Sequence, residues 1–168
     1  MKFGTFLENC GEDERVLVFG TGHWYEDISA KDTNNWKYPK NAYLANNLSN
    51  DCLEEAMPDL LMSTEINKVP EEYVGKFNIV IFEGFESEKP DTAFHNTNKL
   101  LTNGGVILVF VPHDWQMEDM KILQSHLIKC GFSFLKCIEE NFESEPEGQY
   151  IGKWVKLRGA FYWVWKKE

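Results

Sequence analysis

The chain has 168 residues, 43% of them hydrophobic and 14% aromatic, with a formal net charge of −10. That apolar content is enough for a real core and argues against a disordered chain, and the length suits a single domain spanning 1–168. The acidic balance argues against broad binding to a nucleic-acid backbone, and no apolar run is long enough to span a membrane.

The four cysteines, Cys10, Cys52, Cys130 and Cys137, form no Cys-x-x-Cys pair and no disulfide-like framework. They read as reduced thiols in a cytoplasmic setting. His23, His95, His113 and His126 are scattered and lack ligand spacing, so no metal site is expected. Near the carboxyl end, an acidic run (Glu139, Glu140, Glu143, Glu145, Glu147) precedes the basic Lys153, Lys156, Arg158, Lys166 and Lys167. This pattern reads as a solvated hairpin carrying charges of both signs.

In chain order, a short helix is expected around Phe3–Asn9 and a first strand over Arg15–Phe19. A helix over Gly22–Lys31 would present Trp24, Tyr25 and Ile28 on one face. Pro39 prevents further helix, and Ala42–Ala45 reads as a second strand ending at Asn46–Asn47. Asn50–Met57 reads as a brief helical turn or a loop, stopped before Pro58. Leu60–Met62 and Ile66 suggest a short third strand, with Glu65 at its exit. Phe77–Phe82 is a continuous apolar, β-branched run and the clearest of the early strands, terminated by Glu83-Gly84.

Asp91–Leu101 follows as a helix, with Asp91 as its expected cap. Asn103–Gly105 reads as a turn and Val106–Val111 as another strand, closed by Pro112. Met120, Leu123, Leu127 and Cys130 recur at helical spacing over Met117–Cys130, and Gly131 caps that helix. Phe132–Ile138 and Gly159–Trp165 are the last two strands.

Repeated strand, helix and strand implies a largely parallel sheet with helices on both faces. Ala160-Phe-Tyr-Trp-Val-Trp165 shows no polar alternation. Both of its faces should therefore be buried, which places it inside the sheet, brought back antiparallel by the preceding hairpin.

The first strand ends in Val16-Leu-Val-Phe-Gly-Thr-Gly22. Glycines there permit positive φ and let a ligand approach the backbone, and in open α/β sheets ligands bind at such carboxyl ends. Two glycines alone also describe an ordinary strand-to-loop turn. A nicotinamide fingerprint is a poor match, because its third glycine would fall at Tyr25.

The chain resembles the class I S-adenosylmethionine (SAM)-dependent methyltransferases, from Arg15 to Lys167. Val16–Gly22 stands where that family has its glycine-rich first motif. Phe77-Asn-Ile-Val-Ile-Phe-Glu-Gly-Phe85 is similar to its fourth strand and exit. Asn98-Lys-Leu-Leu-Thr-Asn-Gly-Gly-Val-Ile-Leu-Val-Phe-Val-Pro112 is similar to its helix, glycine turn and fifth strand. The resemblance implies a Rossmann-like α/β fold with an inserted antiparallel last strand, SAM as cofactor, and a small-molecule or protein side chain as methyl acceptor. It places Gly20, Thr21, Gly22, Asn46, Asn47, Glu65 and Glu83 around the cofactor.

Glu83 stands at the mouth where it would hold the cofactor's amino group or a substrate proton; it also reads as a turn cap. His113 follows the fifth family strand and is a candidate base, since histidine titrates near neutrality; His113-Asp114 also reads as a surface loop pair. Glu65 lies either near the adenine or in a solvated loop. Trp24, Tyr25, Trp36 and Trp115 offer aromatic faces to a sulfonium or a planar substrate, or serve as core and lid packing.

Three departures accompany the resemblance. Val18 replaces an acid inside the first strand, Trp24 takes the place of the motif's third glycine, and Asn46–Asn47 replaces the ribose-binding acid. They motivate the alternative of a binding or scaffold module on the same fold, catalytically inactive.

Overall fold

The computed structural model describes residues 3–11, 13–19, 38, 42–45, 64–83, 85, 87–111, 115–139 and 161–168. Among them lie α1 (Phe3–Glu8), β1 (Val16–Phe19), β2 (Tyr43–Ala45), β3 (Phe77–Phe82), α2 (Pro90–Leu100), β4 (Leu101–Val111), α3 (Met117–Lys129), β5 (Phe132–Glu139) and β6 (Phe161–Lys167), with a 3-10 turn at Glu71–Tyr73. The strands form one sheet in the order β2-β1-β3-β4-β6-β5. β1 pairs parallel with β2 and β3, and β3 with β4, whereas β6 runs antiparallel between β4 and β5. The final strand is thus inserted, as its unbroken apolar run requires.

Alternation along the strands sorts the core into two layers. Leu17, Phe19, Val80, Phe82, Ile107, Val109, Trp163 and Trp165 face α2 and α3, packing on Phe94, Leu100, Met120, Leu123 and Leu127. Val16, Val18, Ile79, Ile81, Leu108, Tyr162 and Val164 face the other way, toward Leu7 of α1 and Tyr38. Trp163 and Trp165 are buried on the first face with ring centroids 5.1 Å apart. No helix among the described residues is long and apolar enough to cross a membrane.

Three local expectations are corrected. Pro90 begins α2 after Lys89, and Asp91 does not cap it. Instead the Asp91 carboxylate accepts from Lys129 Nζ and pairs with His126 Nδ1, both at 2.6 Å, stapling α2 to α3. Asn103–Gly105 is not a turn between elements but part of β4. The strand starts at Leu101 opposite Phe77 and then slips, so that Ile79 faces Val106. Gly104, at φ 76°, absorbs the irregularity, a backbone state that glycine adopts without a Cβ penalty. Ile66 is in no strand and follows a turn at Thr64–Glu65. Leu60–Met62, Asn50–Met57 and the helix expected over Gly22–Lys31 lie outside the described residues.

The end of α2 is sealed from several directions. Gly75 N–H donates to the Lys99 carbonyl at 2.8 Å. Lys167 Nζ donates to the carbonyls of Asn98 and Leu101 at 2.7 and 2.9 Å. These contacts satisfy carbonyls that a helix end leaves unpaired and set a cation against the negative end of its dipole.

The Asp91 staple has a pH signature. Lys129, then His126, hold the Asp91 carboxyl below the usual aspartate range. A depressed folded-state pKa contributes stability above the unfolded value and loses it as pH falls through the folded one. Asp91→Asn should therefore lower the melting temperature at neutral pH, and its gap from wild type should close as pH drops below about 4. Equal melting temperatures at pH 7 would remove the staple from the account.

Candidate functional site

The parallel strands β1, β3 and β4 end at Phe19, Phe82 and Val111, and the antiparallel β6 enters the sheet at the same edge with Phe161 opposite Val111. Open α/β sheets bind their ligands at this carboxyl edge. Here the two faces of the sheet present different chemistry.

On the face packed against α2 and α3, the ends of β1 and β3 carry an aromatic stack. Phe19 and Phe82 lie ring on ring, with centroids 5.1 Å apart and planes 9° from parallel. Phe85 meets Phe82 edge-on at 5.3 Å and stacks on Phe94 at 4.5 Å. Buried rings in such offset and edge-to-face arrangements gain beyond their area alone. Trp115, a candidate pocket aromatic, is partly buried against this same layer, so it packs the core.

On the other face, Glu83 leaves β3. Its N–H donates to the Phe19 carbonyl at 3.2 Å, extending the β1–β3 ladder by one step. Its carboxylate accepts from the Tyr162 hydroxyl, at 2.8 Å to Oε1 and 2.9 Å to Oε2, and from the Tyr38 hydroxyl at Oε1. Both tyrosine rings are buried, while Glu83 is half-buried. A phenol buried in an apolar layer needs a hydrogen-bond partner, and here two of them converge on one carboxylate. The group is thereby fixed at the carboxyl edge of the sheet.

Glu65 is placed differently. Its Oε1 accepts from Ser87 Oγ at 2.5 Å and from Lys89 N–H at 3.0 Å, just ahead of α2. These bonds, the Ser87 one foremost, hold its carboxyl below the usual glutamate range. Asn96, buried on α2, donates through Nδ2 to the carbonyls of Thr64 and Ile66, each at 2.8 Å. Glu65 and Asn96 together anchor the 64–66 segment to the helix.

Of the residues expected around the cofactor, the structure describes Glu65 and Glu83. Gly20, Thr21, Gly22, Asn46, Asn47 and His113 lie outside the described residues, as do Trp24, Tyr25 and Trp36. Sequence reasoning missed Tyr38, Tyr162, Ser87 and Asn96. A signal existed for Tyr162: one hydroxyl in an otherwise apolar, fully buried strand calls for a polar partner. At the opposite, amino edge of the sheet, an open groove of about 300 Å³ lies between Phe6, Glu14, Asn78 and the Thr102–Val106 stretch.

No family model matches the chain, and neither does any curated protein. Solved structures are similar to it throughout. A TehB-like SAM-dependent methyltransferase from Corynebacterium glutamicum superposes with a TM-score of 0.62 at 10% identity, covering 100% of this chain and 89% of that one. A SAM-dependent methyltransferase from Methanosarcina mazei gives 0.57 at 11% identity and covers 99% of each chain. One from Thermotoga maritima, a possible histamine N-methyltransferase, gives 0.57 at 14% identity, covering 97% and 86%. The chain has the Rossmann-like fold of the class I SAM-dependent methyltransferases.

Proposed function

We propose that the chain is a SAM-dependent methyltransferase-like protein, one domain over 1–168, acting in the cytoplasm on a small molecule or a protein side chain. The observation that carries this reading is the Glu83 carboxylate, fixed at the carboxyl edge between the ends of β1 and β6 by two phenols. Such a carboxylate fits a positively charged group, and the cofactor's amino group is one. When bound, SAM supplies an electrophilic methyl on a sulfonium. The net charge of −10 disfavours a polyanionic acceptor, which supports a small or proteinaceous one.

In this reading Gly20, Thr21 and Gly22 pass beneath the cofactor, Asn46 and Asn47 meet its ribose, Glu65 lies toward its adenine, and His113 takes the acceptor's proton. Glu83 serves as a fixed charge better than as a base, because phenol donors already occupy lone-pair positions on both of its oxygens.

A second reading, an inactive scaffold on the same fold, is favoured by Val18. It is fully buried among Val16, Ile79 and Ile81, where the family has an acid. Calorimetric titration with SAM and S-adenosylhomocysteine separates the two. The first reading expects one saturable site for each; no heat and no thermal shift at millimolar ligand would leave the scaffold.

A further inference from the structure

We propose that Tyr162 is the positioning residue of this site, fixing the orientation from which the Glu83 carboxylate meets its ligand. The ligand half of this inference rests on the reading of the carboxyl edge as a SAM crevice; the clamp rests on the geometry.

Tyr162 has little freedom of its own. It sits on β6 between two partners, opposite Phe110 of β4 and Ile138 of β5, so its backbone is held from both sides. Its ring is fully buried and tilts on the Phe110 ring with centroids 5.5 Å apart. The position of its hydroxyl is therefore set by the sheet, which holds a site more tightly than a loop does.

That hydroxyl lies nearly equidistant from the two Glu83 oxygens, at 2.8 and 2.9 Å. A donor on the bisector of a carboxylate fixes both its direction and its distance. Tyr38 adds a second donor on the Oε1 side, and the Glu83 N–H is tied to Phe19. A side chain with three rotatable bonds is thus held at both ends. The inserted antiparallel strand contributes to the site by this contact.

The test uses the full chain and four proteins: wild type, Tyr162→Phe, Glu83→Gln and the double variant. Each is titrated with S-adenosylhomocysteine, which has the amino-acid arm, and with 5′-methylthioadenosine, which lacks it. Loss of a charge-assisted hydrogen bond should weaken S-adenosylhomocysteine about tenfold in Tyr162→Phe and leave methylthioadenosine unchanged. In the Glu83→Gln background the tyrosine change should add nothing, because it acts through the carboxylate. Equal weakening of both ligands, no weakening of either, or full additivity would overturn the inference.

A ligand-free arm keeps the two claims apart. The Glu83 carboxyl, followed by carbon-13 NMR in the unliganded protein, should titrate at higher pH in Tyr162→Phe than in wild type, since a donor to the charged form is gone. If wild type binds neither nucleoside, the proposed function fails, and an unmoved titration then overturns the clamp as well.

Discussion

Trp163→Ala should cost about 3–5 kcal/mol of folding stability, the range for removing a large aromatic from a core. Trp163 is fully buried on the inserted strand, opposite Val109 of β4 and Cys137 of β5, with Trp165 against its ring. Removing the indole opens a cavity on the face that α2 and α3 cover, where close-packed neighbours collapse only in part. Against a usual domain stability of about 5–15 kcal/mol, the loss takes much of the margin. Urea unfolding followed by tryptophan fluorescence and by circular dichroism measures it. A loss below about 1 kcal/mol would mean that β6 does not carry the core in the way described.

Gly22→Val is the second large effect, this time on binding. Gly22 lies three residues past Phe19, where β1 ends at the carboxyl edge. In the proposed reading the cofactor passes over Gly20-Thr21-Gly22, so a branched side chain intrudes on the ligand. Where φ is positive it also strains the backbone by about 1 kcal/mol or more. The variant should fold, because the apolar strands are untouched, and should show no measurable affinity for SAM. Unchanged affinity would separate Gly22 from the crevice.

How much of this was legible in the sequence follows from the range of each interaction. Phe77–Phe82 and Phe161–Trp165 are readable because a short, continuous apolar run rich in β-branched and aromatic residues fits a strand buried on both faces. That rule also placed the last strand inside the sheet. Leu101–Gly105 was not readable as strand: two adjacent glycines signal a turn, and only pairing with β3 shows a strand that slips its register and continues. Asp91 looked like a cap because it follows Pro90, yet its partners are His126 and Lys129 on another helix. The Glu83 clamp was hidden for the same reason. Glu83 stands out in the sequence by its place after a strand, but Tyr38 and Tyr162 reach it from 45 and 79 residues away. No local period encodes such a meeting. The sheet order brings it about.

A crystal structure of the protein grown with S-adenosylhomocysteine tests the central claim most directly. The nucleoside should lie at the carboxyl edge, spanning the ends of β1 and β3, with its amino group against the Glu83 carboxylate and Tyr162 still on that carboxylate. A nucleoside seated instead in the groove at the amino edge, by Asn78 and Gly104, would contradict it.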